Sequence, residues 1–210
     1  MKAYLNRSTR DKFAKGTDQS DLTTGNACWE TAPPVFRKLN KDFGPFDIDI
    51  TADRQRHLCP IWFGPDSPVK EYDALTTTWL QYGRNGFSNP PYGAFVQKIL
   101  RAAKLEAAQG FTSTFLLPMR VTKAFHAHVL QGAADLMFCD ARLTFYENGE
   151  PRWNAKKLAQ GLYVPDPAMF DSIVVRYLPG VSKFNMPRLG VWNVPEHTAA
   201  AIAKKLWDAA

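Results

Sequence analysis

The sequence predicts an α/β fold built on a mostly parallel sheet flanked by helices. Two observations carry that reading. Between Gly93 and Gln109, apolar residues fall at Phe95, Val96, Ile99, Leu100, Ala103 and Leu105, with Lys98, Arg101 and Lys104 between them. That is helical spacing, and Gly110 is a natural stop. A β-rich apolar run follows at once, Phe111 to Leu117, bounded by Gly110 and Pro118. Helix followed by buried strand is one unit of a parallel α/β sheet.

The other elements follow along the chain. Residues 1–26 are polar and mixed in charge, and read as a flexible arm; residues 27–210 are long enough for a single domain with its own core. Gly86-Phe87-Ser88, short and mildly apolar, occupies the place of the strand that must precede the helix. Met119 to Gln131 has helical spacing (Val121, Phe125, Val129, Leu130) and stops at Gly132. Asp135 to Cys139, Leu143 to Tyr146 and Ser172 to Tyr177 read as strands. Glu196 to Trp207 reads as a terminal helix after Pro195, a residue suited to a helix start. Segments 54–85 and 147–170 look irregular.

Composition narrows the class. The formal charge of +6 and pI of about 9.2 suit a polyanionic partner. Three cysteines without paired spacing fit a reducing, cytoplasmic setting. Neither an apolar run long enough for a membrane span nor the apolar core of a signal peptide is seen. His126 and His128 do not share a helix face, and His57 with Cys59 lacks a second ligand pair, so no metal is expected.

The motif that speaks to chemistry is Ser88-Asn89-Pro90-Pro91-Tyr92. It stands just before the helix, where a strand-end loop belongs, and ligands of open α/β sheets sit beyond the carboxyl ends of strands. Asn89 offers a side-chain carbonyl and Pro90 a backbone carbonyl. Pro90 and Pro91 stiffen the turn, and Tyr92 offers a ring face to a flat base. Two acceptors can hold both N–H groups of an aromatic or amide-like amine, pull its nitrogen towards tetrahedral geometry and free its lone pair. That suits methyl transfer to nitrogen, with Asn89, Pro90, Pro91 and Tyr92 as the catalytic group.

From about Cys28 to Leu178 the chain resembles the phage-type DNA adenine-N6 methyltransferases, relatives of the Dam enzymes. The resemblance rests on blocks in one order: Trp29-Glu30-Thr31-Ala32-Pro33-Pro34 with Val35 to Leu39; Phe43 to Asp49 with Ala52; His57 to Pro60 with Trp62-Phe63; Asp73-Ala74-Leu75 with Trp79; the Asn-Pro-Pro-Tyr box; Leu116 to Arg120; and Ala141 to Phe145. Ala32 is inserted before Pro33, and Ala141 stands where the family usually has Gly. The resemblance implies a Rossmann-like methyltransferase fold, S-adenosylmethionine as donor, and double-stranded DNA as substrate.

It also implies a donor site at Thr31, Pro33, Asp47, Asp49, Ala52, Asp73 and Asn89. Asp47 and Asp49 are expected at the carboxyl end of the first strand, with Asp49 favoured by the family pattern. Ile50-Thr51-Ala52-Asp53 replaces the glycine-rich loop of many methyltransferases. Arg120, Lys123 and Arg142, with the cluster Arg152, Lys156 and Lys157, are the candidates for phosphate contact. Target recognition is expected in 54–85 or 147–170. The same box also occurs in enzymes acting on RNA amines or protein glutamine, and a catalytically dead DNA-binding relative is a third reading.

Overall fold

The computed structural model describes residues 29–64, 66–69, 73–180 and 186–195. The arm expected over 1–26 and the helix expected over Glu196 to Trp207 lie outside the described residues.

Helix α1 (Pro33–Phe43) opens on two prolines, whose missing N–H groups would be orphans in a first turn anyway. It buries Val35 and Leu39, one turn apart, and stops where the Gly44 amide donates to the Asn40 carbonyl. Strands β1 (Ile48–Asp49) and β2 (Ile61–Trp62) are two residues each, and β3 (Asn85–Ser88) is four. Helix α2 (Ala94–Ala108) and strand β4 (Thr112–Pro118) form the expected helix–strand unit within a residue or two. Strands β5 (Asp135–Cys139) and β8 (Ser172–Tyr177) have the predicted bounds.

Two expectations are corrected, and one strand is added. The helix expected from Met119 begins later, as α3 (Lys123–Phe125), and runs on into a π turn, His126–Leu130. The Met119 amide is instead spent on the Asp171 carbonyl, and the Thr122 hydroxyl caps the Phe125 amide at 3.2 Å. The strand expected over Leu143–Tyr146 is displaced into a hairpin of β6 (Tyr146–Glu147) and β7 (Glu150–Pro151). Its tip, Asn148-Gly149, has positive φ at both residues (54° and 81°), the backbone that a two-residue hairpin favours. After the four-residue helix α4 (Ala155–Leu158) and β8, an unforeseen strand β9 (Arg188–Trp192) closes the sheet edge.

The seven-stranded sheet has the order β2-β1-β3-β4-β8-β5-β9. Pairs β1–β2, β1–β3, β3–β4 and β5–β9 are parallel, while β8 runs antiparallel to β4 and β5. Alternation splits the apolar residues between two layers. Phe115, Leu117, Ile173 and Val175 pack beneath Ile99, Leu100 and Ala103 of α2. Leu116, Val174, Phe87 and Trp192 pack on the other face against Leu39 of α1. From β1 the chain moves outward to β2, then returns to the far side of β1 as β3. The carboxyl ends of β1 and β3 therefore flank a topological switch point, where open α/β sheets leave a crevice.

Candidate active site

The motif occupies that crevice. Ser88 ends β3, and its hydroxyl meets the Thr51 hydroxyl at 2.6 Å, latching the two strand ends together. The Ile50 amide donates to the Phe87 carbonyl, and the Phe63 amide to the Asp49 carbonyl, so the ladders continue to the crevice floor. Beyond Tyr92 the chain enters α2 through Gly93, whose φ of 117° only glycine adopts without strain.

Asn89 is oriented at both ends of its carboxamide. Its Nδ2 donates to the Trp29 carbonyl at 3.3 Å, and its Oδ1 accepts from the Tyr92 hydroxyl at 3.1 Å. The Trp29 carbonyl can only accept, so it directs the amide nitrogen and turns the oxygen the other way. Trp29 is itself held by its ring. It stacks on Phe145 (5.3 Å) and Phe170 (5.7 Å), and the Arg152 guanidinium lies 4.4 Å from its centroid. Paired Glu30–Tyr146 backbone bonds of 2.9 Å pin the adjoining backbone. The Tyr92 ring is buried and meets the edge of Phe170 at 5.5 Å and 84°. Burial pushes its phenol up, with the Arg120 charge opposing.

The cleft encloses about 50 Å³. Thr31, Asp49, Ala52, Asn89, Pro90, Pro91 and Tyr92, all singled out in the sequence, line it together. Two features give the cleft a polar lining. Asp49 is buried with Oδ2 accepting from the Leu58 amide at 3.0 Å. Burial raises its carboxyl to about 7, outweighing the Leu58 and Thr51 amides that favour the charged form, and Asp53 nearby adds to the rise. The Thr31 hydroxyl oxygen, also lining the cleft, is buried with no hydrogen-bond partner among the described residues. A second cavity of about 240 Å³, mostly apolar and bordered by Gln97, Arg120 and Thr122, lies on the other side of Tyr92, which lines both.

Other predicted residues fall elsewhere. Asp47 precedes β1 instead of ending it, and its Oδ2 accepts from the Arg84 and Asn85 amides at 2.7 and 3.0 Å. Asp73 closes a turn by accepting from the Leu75 amide at 2.9 Å. Pro33 is exposed at the start of α1. None of the three lines the cleft. Among the basic candidates, Arg120, Lys123, Lys156 and Lys157 are exposed. Arg142 is exposed but bonded to Asp171 at 3.1 Å. Arg152 is committed inward, to the Trp29 ring and to Asp166 at 3.3 Å. Trp79 is fully buried, with its indole donating to the Ala74 carbonyl, and Trp62 stacks on His57 at 4.0 Å.

The cleft also gathers residues that the sequence reading did not assign to it: Trp29, Thr51, Asp53, Arg56 and Leu58. Asp53 accepts from the Gln55 and Arg56 amides and binds the Arg56 guanidinium at 2.7 Å. The departure from a glycine-rich loop at 50–53 was the available signal. Among the described residues no three His, Cys, Asp or Glu side chains gather as a metal site, and no helix is long and apolar enough to cross a membrane.

Two comparisons bear on this site. A family profile described as DNA N-6-adenine-methyltransferase (Dam) matches residues 19–164, which contain the whole cleft. The DNA N-6-adenine-methyltransferase of Escherichia phage T1 is 24% identical over 148 residues, covering 69% of this chain and 57% of that protein.

Proposed function

The chain belongs to the phage-type DNA N-6-adenine-methyltransferase (Dam) family, and on that premise we propose that it transfers a methyl group from S-adenosylmethionine to the N6 amino group of adenine in duplex DNA. The observation that carries the proposal is Asn89, oriented by Trp29 and Tyr92, at a switch-point cleft that also holds a desolvated carboxylate and an orphaned hydroxyl. We read the sheet as Rossmann-like, with β8 as the antiparallel insert between β4 and β5.

The cleft residues fit the donor chemically. A sulfonium and an ammonium group are cationic, and Asp49, costly to ionise alone, is stabilised as a carboxylate by a cation beside it. Thr31 supplies the unspent hydroxyl. When bound, S-adenosylmethionine supplies an electrophilic methyl on sulfur, so the protein has alignment and electrostatics to provide. Asn89 Oδ1, which accepts from the Tyr92 hydroxyl in this structure, and the Pro90 carbonyl are the two acceptors for the N–H groups of the amine. Pockets that bury small ligands run to roughly 300–1,000 Å³. The 50 Å³ cleft must therefore widen, and Tyr92, the wall shared with the larger cavity, is the part whose movement joins the two.

The test is labelled-methyl transfer from S-adenosylmethionine, run in parallel on duplex DNA, RNA and protein. N6-methyladenine in digested DNA supports the proposal. Label only in RNA amines or protein glutamine replaces it with a related amine or amide methyltransferase. A chain that shifts DNA in a gel but transfers no methyl group is an inactive binding relative.

A further inference from the structure

At the same end of the sheet lies a feature outside the cleft. Pro118 of β4 stands opposite Ser172 of β8. One step further the Met119 amide donates to the Asp171 carbonyl at 2.8 Å, so the segments leaving β4 and entering β8 run side by side. Both carry large apolar side chains into solvent. Val121 is 78% exposed and Met169 90%, the highest values among large hydrophobics of the described residues.

Their neighbours tie them to the proposed reaction centre. Phe170, next to Met169, packs its edge on Tyr92, and Arg120, next to Val121, lies near enough for its charge to act on the Tyr92 phenol. Exposed Arg120 and Lys123 stand one and two positions from Val121 in the chain, and exposed Arg142 is paired with Asp171, two positions from Met169. Scattered apolar side chains on a surface are ordinary. Two on adjoined segments, beside the residue expected to face the base and with exposed cations close by in the chain, are the combination that pushes between base steps while phosphates are held.

Resting on the adenine-methyltransferase reading above, we infer that Met169, supported by Val121, enters the base stack at the target step and fills the gap that the extruded adenine leaves. Methionine suits this task, being unbranched, polarizable and adaptable to an irregular gap. The exposed cations Arg120 and Lys123 on the same segment as Val121 favour DNA over an apolar protein partner. The wedge acts on extrusion and not on methyl transfer itself, so its effect depends on how firmly the target base is stacked and paired.

The test compares parent, Met169→Ala and Val121→Ala chains on a matched duplex and on one with an abasic site opposite the target adenine. Met169→Ala is expected to slow methylation of the matched duplex by roughly tenfold or more, equivalent to about 1.4 kcal/mol. It is expected to recover near-parent rates on the abasic duplex, and Val121→Ala should show a smaller loss of the same kind. With 2-aminopurine at the target position, the parent should brighten the probe on binding, and Met169→Ala should leave it dim. Both side chains are exposed, so the unfolding midpoint should stay put. Equal losses on the two duplexes, or parent rates for Met169→Ala on the matched one, would overturn the wedge alone. A parent chain that methylates no DNA would overturn the underlying reading and the wedge with it.

Discussion

Replacing Asp49 with Asn should remove two linked pH dependences. The carboxyl is 3% exposed, and burial lifts it from an ordinary 3.8 to about 7. That gap corresponds to about 4 kcal/mol. Because the folded-state value is raised, the folded chain holds a proton that the unfolded chain releases. The stability this contributes is fully present below pH 3.8 and is lost as pH rises through 7. Between those limits it falls by about 1.4 kcal/mol per pH unit. A cationic donor reverses the preference and selects the ionised carboxylate. The donor's apparent affinity should then weaken about tenfold per pH unit below 7, or about 100-fold by pH 5. Urea unfolding at pH 5 and pH 8 reads the first effect, and calorimetric titration with S-adenosylmethionine reads the second. Asp49→Asn should flatten both profiles relative to the parent, because its carboxamide does not titrate. Parallel profiles for parent and variant, in unfolding and in binding alike, would refute the reasoning.

Three further substitutions probe the rest of the molecule. Asn89→Ala should cut labelled-methyl transfer by about a hundredfold or more, the scale of losing one directed polar contact at the reacting centre, while donor titration stays near the parent's; near-parent turnover would remove Asn89 from the amine-holding role. Glu106 on α2 is buried and accepts from the Trp79 amide at 3.1 Å and from Leu80. Glu106→Ala strands both amides and should cost about 2–4 kcal/mol in urea unfolding. Asp135 is buried between Arg176 (3.1 Å) and Arg188 (2.6 Å), joining β5 to β8 and β9. Asp135→Ala leaves the partly buried Arg176 without its carboxylate and should cost about 3–5 kcal/mol by the same measurement.

The elements legible in the sequence are those whose pattern reports their own burial. Strand β4 and strand β8 lie under helices on both faces, so their apolar runs are continuous and their bounds were readable. Strand β3 was nearly silent for a physical reason. A Cβ on Gly86 would stand 2.7 Å from Ile50 Cδ1 and 3.0 Å from Phe111 Cζ, so the position is emptied to let its neighbours close in. Asp47 and Asp49 are two residues apart, so alternation assigns them the same face. Only the pairing of Ile48 and Asp49 with β2 and β3 shows that Asp47 enters the strand while Asp49 leaves it. The motif at Asn89 was readable because its residues are contiguous. The Trp29 carbonyl that orients it lies 60 positions away, a relation that local spacing does not encode. Arg152 reads as a surface cation until the fold places an indole and a carboxylate against it.

The Tyr92 hydroxyl satisfies the carboxamide oxygen that Asn89 turns to the cleft. A half-buried carboxamide oxygen facing a narrow space, with neither water nor a donor, would cost about 1–3 kcal/mol. Tyr92 removes that cost by donating to Asn89 Oδ1, and the ring carrying the hydroxyl walls off the larger cavity. On the proposed reading, an incoming amine offers the same oxygen an equivalent N–H, so a Tyr92 displacement that opens the cleft exchanges one hydrogen bond for another. Trp29 keeps the carboxamide from turning during that exchange, since its carbonyl still holds Nδ2. The strand ends beneath are latched through Thr51 and Ser88, which confines the movement to the aromatic wall of Tyr92 and Phe170 and leaves the acceptor where β3 puts it.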